Sequence, residues 1–68
     1  MKDFLMWNKT ARIILLLAKT LDISPQRALN IFYNSKTSQM FRMQQSGLYL
    51  MSDAYIVEDI IHELRNTQ

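Results

Sequence analysis

Ile13-Ile14-Leu15-Leu16-Leu17-Ala18 forms an unbroken apolar run, with Arg12 before it and Lys19 after it, in a chain of 68 residues. So short a protein can shelter such a run only by wrapping its other elements around it. On a helical wheel with Trp7, Ala11 and Leu21, the run covers well over half the circumference. A helix that touches one neighbour needs an apolar stripe only somewhat wider than about 100°. The pattern therefore places this helix in the centre, with partners on at least two sides. It implies an all-α fold, a compact three- to four-helix domain with the N-terminal helix central, occupying residues 1–68 as one unit.

That size is near the lower limit at which one core suffices. Ordering the chain costs on the order of 100 kcal/mol of conformational entropy, at about 1.5 kcal/mol per residue. There is no cysteine, so no disulfide offsets this cost and no thiolate metal site exists. An apolar fraction of 49% and a single glycine separate the chain from disordered sequences. Five methionines, three Phe, three Tyr and one Trp are more than so small a body can bury. An apolar surface patch is expected, pointing to a protein partner or a homodimer. The lack of cysteine suits a reducing cytoplasm. The apolar run is too short for a membrane span of about 20 residues. With Arg12 directly against it and no small-x-small site after it, it does not make a signal peptide either. A mature, soluble, cytoplasmic protein is the expectation.

The first helix is expected from about Asp3 or Phe4 to Leu21, with a narrow polar side of Asn8, Lys9, Arg12 and Lys19. Leu5 and Leu16 fall on or beside that side, either covered by later segments or left as a contact surface. After Asp22-Ile23, Ser24 reads as an N-cap and Pro25 as the first helical position, where its missing N–H costs nothing. The second helix, Pro25 to about Asn34, sets Ala28, Leu29, Ile31, Phe32 and Tyr33 against Gln26, Arg27, Asn30 and Asn34. Asn34 suits a C-terminal stop because Asn tolerates the left-handed conformation. Thr37 or Ser38 would cap a short helix turning Met40, Phe41 and Met43 inward, with Gly47 just after its end. Leu48-Tyr49-Leu50-Met51 is too short and too apolar to classify by period and is compatible with an extended segment against helix one. Ser52 caps the last helix, Asp53 to Arg65, with Asp53 beside its positive end. Ala54, Ile56, Val57, Ile60, Ile61 and Leu64 share one face of it, and Tyr55, Glu58, Asp59 and His62 the other.

Residues 1–36 carry Lys2, Lys9, Arg12, Lys19, Arg27 and Lys36 against Asp3 and Asp22, a balance of +4. Residues 37–68 carry Arg42 and Arg65 against Asp53, Glu58, Asp59 and Glu63, a balance of −2. The asymmetry gives each half a solvated face or makes two docking surfaces of opposite sign. His62 pairs i, i+4 with Glu58, but no second histidine or cysteine completes a metal site. A solvated histidine is favourable near a helix C-terminus. No serine sits in a nucleophile elbow, the sole glycine, Gly47, builds no phosphate loop, and there is little room for a cleft. Neither enzymatic activity nor a cofactor is expected.

A DNA-binding alternative, acting as a dimer, rests on the helix-turn-helix-like spacing of the second helix, the turn from Asn34 to Thr37 and the segment that follows. Gln39, Arg42, Gln44 and Gln45 would reach base edges, with Arg27 and Lys36 on phosphates. Against it, that segment has one arginine, while non-specific affinity scales with the phosphates neutralised. The acidic last helix would also have to face away.

Three features together resemble a known family: the apolar first helix, the stretch Leu21-Asp22-Ile23-Ser24-Pro25-Gln26-Arg27-Ala28-Leu29, and the run Tyr55-Ile56-Val57-Glu58-Asp59-Ile60. The family consists of very small bacterial proteins of unknown function, and the likeness covers nearly the whole chain. Its members are often encoded beside proteins with an ADP-ribosyltransferase-like domain, a pairing that looks like toxin and antitoxin. The resemblance implies an antitoxin-like partner that binds and restrains a neighbouring gene product, and it brings no catalytic residues. With the charge asymmetry and the surplus of apolar residues, the expectation is a non-enzymatic protein–protein interaction module. Its contacts would lie at Tyr55, Glu58, Asp59 and His62, with Met40 and Phe41 as apolar anchors.

Overall fold

The computed structural model describes the backbone of residues 2–43 and 46–66, and side chains from Trp7 onward. Among these residues the chain forms helices α1 (Lys2–Leu21), α2 (Pro25–Tyr33), α3 (Lys36–Arg42) and α4 (Asp53–Asn66), with a 3₁₀ turn at Leu48–Leu50 and no strand. The fold is all-α, as the apolar periodicity implies. α1 is its centre: α2 and α4 both pack along it, and Ile13 and Leu17 are 0% exposed. Leu16 packs against the same core, whereas Leu15 is 58% exposed. Six consecutive helical residues sweep the full circle at about 100° each, so two flanking helices leave one direction uncovered. The run is enclosed on two sides rather than all round. No described helix is long and apolar enough to cross a membrane.

α1 ends with Asp22 in the left-handed conformation at φ 56°. Ile23 N donates to Ala18 O at 3.0 Å and Asp22 N to Lys19 O at 3.3 Å, the two bonds of a Schellman stop, and half-buried Ile23 returns to the core. Ser24 then caps α2, its Oγ accepting from Arg27 N at 3.2 Å, with Pro25 opening the helix. The inward residues of α2 are Ala28 and Phe32. Asn34 ends α2, but at φ −92° and ψ −1°, not in the left-handed region expected of it. α3 follows after one further residue, so the chain continues right-handed instead of reversing.

The N-cap of α3 is Ser35, ahead of both Thr37 and Ser38. Its Oγ accepts from Ser38 N at 3.0 Å and donates to Phe32 O at 2.6 Å, while Ser38 Oγ donates to Ser35 O at 2.9 Å. These buried hydroxyls tie α3 to the end of α2. Only Phe41 of the three expected inward residues is buried, edge-on to Phe32 with ring centroids 6.1 Å apart; Met40 and Met43 face out. A seven-residue helix covered on one flank has room for one large inward side chain per turn. Gly47, at φ 70°, leads into the 3₁₀ turn, which packs on α3 and replaces the extended segment expected against helix one. Ser52 caps α4 by accepting from Tyr55 N at 3.1 Å. Ile56, Val57 and Ile60 form its buried face, with Ile61 and Leu64 half-buried; Ala54, expected there, is exposed.

Leu17→Ala is therefore expected to cost about 3 kcal/mol through lost burial and a residual cavity. Leu15→Ala, on the same run, should cost less than about 0.5 kcal/mol. Urea unfolding of both variants, followed by circular dichroism, separates the enclosed from the open side of α1.

Candidate interaction surface

α4 carries all four acidic residues of the C-terminal half, and two of their carboxylates, Asp53 and Glu63, make close bonds inside the chain. At its first turn Asp53 accepts from Lys9 Nζ at 2.9 Å and from Arg12 Nε at 3.1 Å. The hydrogen bond from Lys9 outweighs the opposing effect of burial, and with Arg12 it holds the Asp53 carboxyl below its usual 3.8. One turn from its C-terminus, Glu63 reaches across to α3. Its Oε2 accepts from Lys36 N at 2.7 Å, and its Oε1 from Thr37 N at 3.0 Å and Thr37 Oγ1 at 2.9 Å. Burial pushes Glu63 up, but the hydrogen bonds from Lys36 and Thr37 together pull it below its usual 4.5. The carboxylate completes the N-terminus of a helix that has no acidic residue in its own first turn, and the positive end of the dipole favours it there. Part of the charge asymmetry thus closes within the molecule.

Glu58 and Asp59 remain on the outer side of α4. With Tyr55 and His62 they stand at spacings i, i+3, i+4 and i+7, and all four are exposed. Between α3 and α4 lies a shallow groove of about 350 Å³, lined by Lys36, Thr37, Met40, Asp59, His62, Glu63 and Asn66. On the other flank of α4 a second groove of about 510 Å³ is lined by Thr20, Glu58, Ile61, His62, Arg65 and Asn66. His62 and Asn66 border both, with Asn66 Nδ2 3.1 Å from His62 Nδ1, a contact satisfied when the neutral ring carries its proton on Nε2. Thr37 Oγ1 also lies 3.4 Å from Asp59 Oδ2. The groove thus sets Lys36 and Asp59 beside Met40, a flexible thioether at 51% exposure.

The fold thus brings Met40, Asp59 and His62 to one groove and keeps Tyr55 and Glu58 on the same exposed stripe. Phe41 is not available as an anchor. It is fully buried against Phe32, since neighbouring helical positions differ by about 100° and cannot share a face with Met40. Among the residues of the DNA-binding alternative, Arg27, Lys36 and Gln39 are exposed, and the Arg42 guanidinium lies over the Tyr33 ring at 5.5 Å. Gln45 and Gln44 lie outside the described residues. A recognition helix presents its N-terminal residues to the groove of the duplex, but the N-terminus of α3 holds the Glu63 carboxylate, with Asp59 adjacent. No group of three or more His, Cys, Asp or Glu among the described residues is arranged to hold a metal ion. Glu63 is the residue that sequence reasoning missed. Its trace in the sequence is the unmet demand at Ser35-Lys36-Thr37-Ser38, where one hydroxyl cap serves one N–H and two more need an acceptor.

Compared with known proteins, the chain matches no family model, no curated protein and no solved structure.

Because both Asp53 and Glu63 have lowered folded-state values, their contribution to stability is fully present above about pH 4.5 and is lost as pH falls through those values. Glu63→Gln keeps one acceptor oxygen and loses the charge, so it should cost about 1–2 kcal/mol at neutral pH. It should also flatten the acid limb of stability plotted against pH. Urea midpoints measured from pH 3 to pH 7, roughly the carboxylate range, give both readouts.

Proposed function

We propose that this chain is a non-enzymatic interaction module whose α3–α4 side captures a protein partner in the cytoplasm, as an antitoxin restrains a neighbouring gene product. The observation that carries the reading is the division of labour among the carboxylates of α4. Asp53 and Glu63 fasten the helix, while Glu58 and Asp59 stay outward on one stripe with Tyr55 and His62, beside exposed Met40. The run Tyr55-Ile56-Val57-Glu58-Asp59-Ile60, which carries the likeness to the small bacterial family, supplies three of those residues. Its apolar members Ile56, Val57 and Ile60 face the core and its polar members face solvent, so one segment serves folding and docking together.

The partner segment this surface fits is basic with an apolar anchor: lysine or arginine opposite Glu58 and Asp59, and an aliphatic or aromatic side chain over Met40. Rim charges act chiefly on association rate, so the interaction is expected to weaken with salt.

Reversing both charges, Glu58→Lys with Asp59→Lys, should weaken capture of the neighbouring gene's product about tenfold or more, a change of about 1.4 kcal/mol or greater, with helical circular dichroism unchanged. Unaltered binding removes this surface from the account. A steep salt dependence of binding to random duplex DNA, absent with the protein partner, would redirect the function to nucleic acid.

A further inference from the structure

α3 is fastened differently from the other helices. Among the described residues, nine of the ten buried apolar side chains lie on α1, α2 and α4, and α3 supplies only Phe41. It supplies two of the four buried polar side chains, Thr37 and Ser38, and its N-cap Ser35 is a third. Lys36, Gln39, Met40 and Arg42 are exposed. α1 packs along α2 and α4, whereas α3 packs on α4, α2 and the 3₁₀ turn. The core therefore loses one aromatic contact, Phe41 edge-on to Phe32, when α3 leaves. Polar bonds are exchanged for bonds to water on opening, so they hold an element less firmly than buried apolar area does. Once released, seven residues do not stay helical.

We propose that α3 is a releasable strap, which unfastens from α4 and unravels as a unit while α1, α2 and α4 stay packed, with Glu63 as its proton-sensitive latch. The latch is one carboxylate making three bonds, to Lys36 N at 2.7 Å, Thr37 N at 3.0 Å and Thr37 Oγ1 at 2.9 Å. Protonation removes the charge that strengthens these bonds and turns one acceptor oxygen into a donor facing donors. Solvent reaches Glu63 from two sides, because it borders both the α3–α4 groove and a groove of about 400 Å³ between α2 and α4. The charged groups around it are Lys36 on α3, which favours the carboxylate, and Asp59 and His62 on α4. α2 contributes Asn30 and Asn34 to its surroundings and no titratable group. Asp59 Oδ2, 3.4 Å from Thr37 Oγ1, is the alternative acceptor for that hydroxyl. Release parts Lys36 and Met40 from Asp59 and His62, so the α3–α4 groove exists only while the strap is fastened. That link to docking rests on the proposed function, whereas the opening is a property of the lone chain.

Native-state hydrogen exchange of the full chain, read by NMR in urea below the unfolding transition, tests this. Corrected for intrinsic rates, the amides of Thr37, Ser38 and Phe41 should share one opening constant, at least tenfold larger than that of Ile13, Leu17 and Ile60. It should depend little on urea, because local opening exposes little surface. Lowering pH from about 6 to about 3.5, across the carboxylate range, should raise it severalfold. Glu63→Gln should raise it about tenfold at the higher pH and remove most of the pH response. Asp53→Asn, at the α1–α4 contact, should leave the α3 response as it is in the parent. An α3 that exchanges with the rate and urea slope of α1 leaves only with the whole fold and overturns the proposal. So do opening constants graded towards Arg42, which mean fraying from one end, and an opening indifferent to both pH and Glu63→Gln.

Discussion

Ile13 and Leu17 lose all contact with water because α1 is covered on two flanks, and that double cover governs where the other elements lie. α2 follows after the Schellman stop at Asp22 and lays Ala28 and Phe32 on one flank. α4 lays Ile56, Val57 and Ile60 on the other. α3, at seven residues, is too short to persist as an isolated helix. It is held at its interior by Phe41 against Phe32 and at its start by the Ser35 hydroxyl and the Glu63 carboxylate.

The two internal carboxylates of α4 differ in weight. Asp53 is held by side chains alone, Lys9 at 2.9 Å and the 59% exposed Arg12 at 3.1 Å, and open pairs such as the second contribute about 0–1 kcal/mol. Glu63 satisfies two backbone N–H groups that would otherwise lack a partner at a helix start. Hydrogen bonds to a charged group contribute about 1.5–3 kcal/mol. The register of α3 against α4 therefore depends more on Glu63, and so does the shape of the groove that Met40 and Asp59 share. A docking surface assembled from two elements takes its precision from the bond that fixes them together.

Exposed apolar side chains lie on both the α3–α4 and the α1–α2 sides of the molecule. On the α3–α4 side Glu58 and Asp59 are exposed with Tyr55 and His62, and Met40 and Lys36 stand beside Asp59. The α1–α2 side exposes Trp7, Leu15 and Leu29, with Arg12, Lys19 and Arg27 also open to solvent. Phe32 and Phe41 are buried, whereas Trp7, Tyr33, Met40, Met43, Met51 and Tyr55 are spread over the surface.

Local chemistry in the sequence determined α1, α2 and α4, the caps at Ser24 and Ser52, the central place of the apolar run and the exposed stripe Tyr55–Glu58–Asp59–His62, because each follows from periodicity or from bonds within a few residues. Residues 36–51 carry too little periodicity to choose between helix and extended chain. The cap expected at Thr37 or Ser38 lies at Ser35, because Phe32 O and Ser38 engage the Ser35 hydroxyl while the Thr37 hydroxyl turns to Glu63. Which apolar residues stay dry was decided only by tertiary structure: Phe41 is enclosed while Met40 and Leu15 face water, because covering a helix from two directions leaves a third open. The same holds for Glu63. The start of α3 shows in the sequence that an acceptor is needed, but only the packing of α4 beside α3 makes that acceptor Glu63, 26 residues from Thr37.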